Sequence, residues 1–112
     1  MTSIAVLDYG LGNLRSVFRG LCAAGASPVI TNDAEVISSA DGILLPGVGA
    51  FAEGMEKLRP LIPLVKLEAE KKPLMGICLG MQLLFDKSFE YGEHEGLGLI
   101  KGEIRPISDV IP

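Results

Sequence analysis

At 112 residues, 48% hydrophobic and 21% charged, the chain has room for one domain and the apolar content of a packed core, not of a disordered segment. Its net charge of -4, with Lys and Arg scattered along the chain, gives no basic footprint for a nucleic acid. No apolar run approaches the about 18 residues of a membrane span, and the first residues enter a strand pattern without a basic signal head, so a cytoplasmic protein is expected. Two cysteines in unlike contexts and one histidine make neither a disulfide framework nor a metal signature, and no cofactor is implied.

The elements alternate. Residues 3–8 read as a buried strand, ended by Tyr9-Gly10-Leu11-Gly12-Asn13, with Asn13 placed to cap a helix over residues 14–24. Gly25 stops that helix, residues 28–31 form a second strand, and Asn32 and Asp33 cap a short helical turn. A third strand over residues 43–45 is cut off by Pro46-Gly47-Val48-Gly49, after which residues 51–58 carry a helical pattern. Pro60 and Pro63 break and restart it, giving a second helical stretch over residues 64–72 that leads into a fourth strand at residues 73–77. Strands that are apolar throughout and alternate with helices predict a doubly wound, mainly parallel α/β sheet covered on both faces. A helix is expected over residues 79–85, a polar surface loop over residues 89–96, and short antiparallel strands over residues 97–107. The closing run Ser108-Asp109-Val110-Ile111-Pro112 reads as a stop within a connection.

The run Gly76-Ile77-Cys78-Leu79-Gly80 has the pattern of a nucleophile elbow. A strand ends, the nucleophile takes a strained turn, and a helix begins at once, so the flanking positions must lack side chains. The helix would aim its first N–H groups at the Cys78 sulfur, and the Leu79 N–H would stand where an oxyanion develops. Cys22 is the contrast. It lies among apolar residues at helical spacing and reads as a small buried side chain.

An oxyanion needs a second donor. The loop Pro46-Gly47-Val48-Gly49 lies, like the elbow, at the carboxyl end of a strand, where ligand sites form in doubly wound sheets, and the Gly47 or Val48 N–H is the candidate. Gln82, four residues after Cys78, shares its helical face and is placed to hydrogen-bond a small polar substrate. The turn at Gly10 and Gly12 lacks the third glycine and the lysine of nucleotide-binding loops.

Together, Asp8-Tyr9-Gly10-Leu11-Gly12-Asn13-Leu14, Leu45-Pro46-Gly47-Val48-Gly49-Ala50-Phe51 and Gly76-Ile77-Cys78-Leu79-Gly80-Met81-Gln82 resemble the class I, triad-type glutamine amidotransferases. Within that class they are similar to the glutaminase subunits of imidazole glycerol phosphate synthase, which act in histidine biosynthesis. The resemblance covers the whole chain and implies a flavodoxin-like glutamine amidotransferase domain of which residues 1–112 are the N-terminal part. It implies that Cys78 attacks the side-chain amide of glutamine, forms a thioester and releases ammonia to a (β/α)8-barrel cyclase subunit. It also implies that Leu79, Gly47 and Val48 form the oxyanion hole, that Gly49 and Gln82 hold glutamine, and that Gly10, Leu11, Gly12 and Asn13 face the cyclase.

The family's His-x-Glu pair has no counterpart in these 112 residues. The one histidine, His94, sits between Glu93 and Glu95 in the expected polar loop, where a solvated role outweighs that of a base for Cys78. The chain alone is therefore expected to be inactive. The alternatives are another class I amidotransferase subunit, or a non-catalytic flavodoxin-like binding module in which Cys78 is structural.

Overall fold

A computed structural model describes residues 1–109; Val110, Ile111 and Pro112, expected to lie in a connection, fall outside them. Its first three strands, β1 (Ser3–Leu7), β2 (Ser27–Thr31) and β3 (Gly42–Leu45), are joined through α1 (Leu14–Ala23) and α2 (Ala34–Ser39). Both helices start where short polar side chains satisfy free backbone N–H groups. Asn13 accepts from the Ser16 N–H, and Asp33 accepts from those of Glu35 and Val36.

After β3 come α3 (Phe51–Leu58), a 3₁₀ turn (Arg59–Leu61), α4 (Ile62–Ala69), β4 (Leu74–Gly76) and α5 (Leu79–Leu83). The α4 helix begins earlier than the expected residue 64, because Pro63 occupies its first turn, where a missing N–H leaves no bond unmade. The four strands form one parallel sheet in the order β2-β1-β3-β4. With right-handed crossovers, the reversal of direction after β2 puts α1 on one face and α2, α3 and α4 on the other.

The core sits mainly on the second face: Ala5, Leu7, Ile43 and Leu45 of the central strands pack with Ile37, Phe51, Leu58, Val65, Leu79 and Leu83. Covering on both faces, expected from the apolar strands, holds for β1 and β3 only. The edge strands β2 and β4 are partly open, with Val29 43% and Met75 62% exposed. The α1 helix has no buried residue. It rests on the sheet through half-buried Leu14, Val17 and Leu21, and one more residue rotates Cys22 by about 100° off that face. Cys22 is therefore exposed, correcting the expected burial.

The second half of the chain departs most from expectation. The α5 helix ends at Leu83 instead of residue 85, because the Leu83 and Leu84 carbonyls accept from the N–H groups of Leu97 and Leu99, each at 2.8 Å. The chain continues as β5 (Phe85–Ser88), β6 (His94–Glu95) and β7 (Ile100–Ile104), a three-stranded sheet in the order β6-β5-β7. β6 lies within the stretch expected to be a loop, and it pairs antiparallel to β5. β7, expected to be antiparallel, runs parallel to β5 with a register shift between Phe85 and Lys87.

Candidate functional site

The sheet order makes the carboxyl ends of β1 and β3 neighbours at the point where the winding reverses, the usual position of a ligand crevice in this architecture. Three connections meet there: Asp8 to Asn13 after β1, Pro46 to Ala50 after β3, and Ile77 with Cys78 after β4.

Cys78 has φ 53° and ψ -122°, a backbone conformation that costs a non-glycine residue about 1–3 kcal/mol and persists only where its surroundings impose it. The glycines on either side show what imposes it. A Cβ on Gly76 would lie 2.5 Å from the Met81 Cα and 2.6 Å from its N, and one on Gly80 would overlap the Leu45 carbonyl. The strand end and the start of α5 thus approach more closely than any side chain permits. The thiol this turn presents is exposed, as is that of Cys22.

The 46–49 loop continues the pairing of β3 with β4 past the ends of both strands. The Ile77 N–H donates to the Leu45 carbonyl at 3.0 Å, and the Leu79 N–H donates to the Gly47 carbonyl at 3.2 Å. The Gly80 N–H donates to the Ile77 carbonyl at 2.9 Å. These bonds correct the expectation that the first N–H groups of α5 are free to face the sulfur: those of Leu79 and Gly80 already have backbone acceptors. A trans peptide points its carbonyl and N–H in opposite directions. With the Gly47 carbonyl turned to Leu79, the Val48 N–H therefore points away from it.

Gly47 is buried and tightly enclosed, since a Cβ there would lie 2.5 Å from the Tyr9 hydroxyl and 2.9 Å from the Gly80 N. The next two residues are open, Val48 being 55% exposed and Gly49 exposed with φ +108°. Gln82 is half-buried one turn into α5, its N–H bonded to the Cys78 carbonyl at 3.2 Å. Gly10 and Asn13 are exposed and Leu11 and Gly12 half-buried; Asn13 spends its side-chain oxygen on the α1 cap.

Two further residues reach this region without having been singled out in the sequence. The Tyr9 hydroxyl donates to the Pro46 carbonyl at 2.5 Å, and burial pushes its pKa up to about 12. Glu90, in the β5–β6 connection, accepts the Phe51 N–H at 3.3 Å, at the N-terminus of α3 and just after the 46–49 loop in sequence. Tyr9 carried a signal, a large amphipathic ring where a turn otherwise uses small residues. Glu90 carried none, because only the fold brings it 39 positions along the chain to Phe51.

His94 lies elsewhere. Its Nε2 is 3.2 Å from the Tyr91 carbonyl, and it lines a cleft with Ala52, Met55 and Glu56 of α3 and Arg59 of the 3₁₀ turn that includes neither the elbow nor the 46–49 loop. Its neighbour Glu93 pairs with Lys87 at 3.1 Å. Among the described residues, no group of three or more His, Cys, Asp or Glu could hold a metal ion, and no helix is long and apolar enough to cross a membrane.

Comparison with known proteins shows which family the chain belongs to. Subunit HisH of imidazole glycerol phosphate synthase from Aquifex aeolicus (strain VF5) is 53% identical over 103 residues, which cover 88% of this chain and 50% of that protein. The subunit of the same name from Lacticaseibacillus casei (strain BL23) is 51% identical, with 90% and 50% covered. That from Exiguobacterium sibiricum is 46% identical, with 96% and 56% covered. The chain spans about half the length of the curated relatives it matches. A crystal structure of glutamine amidotransferase superposes with a TM-score of 0.76 at 21% identity, covering 91% of this chain and 55% of that one, which shows a shared fold. Residues 5–105 match the family described as glutamine amidotransferase class-I, and the elbow and its facing loop lie inside that match: the chain belongs to the class-I glutamine amidotransferases.

Proposed function

We propose that this chain carries the nucleophile-bearing part of a glutaminase that supplies ammonia to imidazole glycerol phosphate synthesis, in the cytoplasm and in complex with a (β/α)8-barrel cyclase subunit. The observation that carries the reading is the strained turn at Cys78, φ 53°, held by two glycines whose Cβ space is filled by backbone. The synthase subunits that match at 46–53% identity narrow the partner.

In this reading the Cys78 thiolate attacks the carbonyl carbon of the glutamine side-chain amide. The C–N bond of the tetrahedral intermediate then breaks, the nitrogen takes a proton and leaves as ammonia, and a thioester remains. Water adds to the thioester, the C–S bond breaks, and glutamate leaves with the thiolate restored. The base that moves these protons is a histidine oriented by a glutamate, supplied from outside these 112 residues, since His94 lines a different cleft.

Both tetrahedral intermediates carry an oxyanion that two preorganised N–H donors would stabilise. The Leu79 N–H is occupied by the Gly47 carbonyl, so the hole is closed in this conformation. Rotation of the single Gly47–Val48 peptide would withdraw that carbonyl and turn the Val48 N–H towards the same space. The rotation changes ψ of Gly47, which without a side chain accepts either value, and φ of Val48, whose side chain is exposed. Gly49 and Gln82 then hold the substrate, and the Glu90 carboxylate at the same rim is placed to receive its ammonium group. Gly10, Leu11, Gly12 and Asn13 form the cyclase-facing edge.

The test is glutamate and ammonia production by the polypeptide made from the native gene, with its co-purifying synthase subunit. Activity abolished by Cys78→Ala, with a barrel cyclase as the partner, is expected; a different synthase as partner refutes the assignment to imidazole glycerol phosphate synthesis. Residues 1–112 alone should show no activity until a segment bearing His-x-Glu is added. Activity of residues 1–112 alone that depends on Cys78 would refute the external base.

A further inference from the structure

The buried hydroxyl of Tyr9 has no role in the chemistry just described, yet it makes a short bond to the loop on which that chemistry depends. It donates to the Pro46 carbonyl at 2.5 Å, and Tyr9 is 8% exposed. Pro46 is fully buried, and its ring fixes φ. The same stretch is gripped from a second side, because a Cβ on Gly12 would lie 3.0 Å from the Pro46 Cβ and 3.2 Å from the Gly47 N. It is gripped from a third by the Gly80 N, 2.9 Å from where a Gly47 Cβ would stand. Everything up to the Gly47 N is therefore fixed, whereas Val48 and Gly49 are exposed. The boundary between fixed and free backbone falls at Gly47, the residue whose carbonyl blocks the Leu79 N–H.

We propose that Tyr9 is a positioning residue of the oxyanion loop: its hydroxyl anchors the Pro46 carbonyl, so that the Gly47–Val48 peptide rotates about a fixed end and delivers the Val48 N–H to one defined place. The proposal rests on the glutaminase reading and adds to it the group that makes the rotation accurate. The flip turns on Gly47 ψ and Val48 φ, so where the Val48 N–H arrives depends on how firmly the Gly47 end is held, and a group misplaced by about 1 Å can cost on the order of 100-fold in rate. The phenol suits the task. With its pKa pushed up to about 12 by burial, it remains an O–H donor across the working pH range. A phenylalanine would retain the ring's packing but leave the Pro46 carbonyl buried without that donor.

The experiment compares wild type with Tyr9→Phe in the native polypeptide bound to its synthase partner. Two quantities are read: steady-state kinetics with glutamine, and the rate at which iodoacetamide alkylates Cys78, a displacement that forms no oxyanion. Tyr9→Phe should lower kcat about tenfold while KM and the alkylation rate stay within about twofold. A kcat within twofold of wild type would overturn the proposal. Equal falls in kcat and alkylation would also overturn it, since they would mean that the hydroxyl only supports the local fold. Wild type that releases no ammonia through Cys78 would defeat the underlying glutaminase reading instead, before any variant is compared.

Discussion

Replacing Gly76 by alanine tests whether backbone contact at the elbow, and not merely a preference for small residues, holds Cys78 in its strained turn. The added methyl would sit 2.5 Å from the Met81 Cα, 2.6 Å from its N and 2.8 Å from the Gly80 carbonyl carbon, where ordinary contact begins at 3.4 Å. All three atoms are backbone, so no side chain can swing aside, and the start of α5 would have to retreat by nearly 1 Å. The retreat is opposed on the far side, where a Cβ on Gly54 would lie 3.0 Å from Leu79 Cδ2 and 3.2 Å from the Leu83 methyls. Overpacking of this kind costs about 1–3 kcal/mol, and rigid atoms on both sides place Gly76→Ala at the upper end. Gly20→Ala is the control. It lies within α1, its Cβ would meet nothing within 4 Å, and alanine there should stabilise by about 0.5–1 kcal/mol. Urea unfolding of both variants in the native polypeptide should therefore show shifts of opposite sign, with slower alkylation of Cys78 in Gly76→Ala alone. A Gly76→Ala stability within about 0.5 kcal/mol of wild type would mean that the elbow backbone has room for a side chain after all.

Two further outcomes follow from packing and charge. Phe51 is fully buried in the core cluster at the start of α3, so Phe51→Ala should cost about 3–5 kcal/mol, read as a lower urea midpoint at unchanged slope. Glu68, 4% exposed, pairs with the Lys72 ammonium at 2.9 Å, and Lys72 in turn donates to the Ile37 and Ser38 carbonyls of α2. Its hydrogen bond with Lys72 holds the Glu68 carboxyl below its ordinary value of 4.5. The ionised form is thus favoured by folding, and its contribution is complete above pH 4.5 and lost as the pH falls from there through the lower folded value. Glu68→Gln should be less stable than wild type at pH 7, and its unfolding midpoint should change less between pH 5 and pH 3. Parallel pH profiles for the two proteins would contradict this.

The parts of the fold legible in the sequence are those decided locally. The α3 boundaries at Phe51 and Leu58 match the expectation, because Gly49 and Pro60 punctuate the chain on either side. Asn13 and Asp33 cap their helices as short polar side chains before apolar runs do. What was not legible depends on contacts distant in sequence. Whether β7 is parallel or antiparallel to its partner depends on its pairing with β5 and not with β6, and no residue of Ile100–Ile104 records that. The Cys22 context gave an apolar stripe, but not how deeply the helix bearing it would be covered. At the site, the strained Cys78 turn was readable from Gly76 and Gly80, because a missing side chain leaves a visible mark. The orientation of the Gly47–Val48 peptide leaves none, since Gly47 accommodates either value of its ψ.

The most direct test of the account is competition between the two exposed thiols. A glutamine analogue bearing a diazoketone is added to the native polypeptide in its complex, and the modified cysteine is mapped by mass spectrometry. Cys22 and Cys78 are both exposed, so accessibility alone gives neither a decisive advantage. Labelling of Cys78 alone, slowed by excess glutamine, is expected. Equal labelling of Cys22 and Cys78, unaffected by glutamine, would contradict it and leave Cys78 a structural residue in a non-catalytic fold.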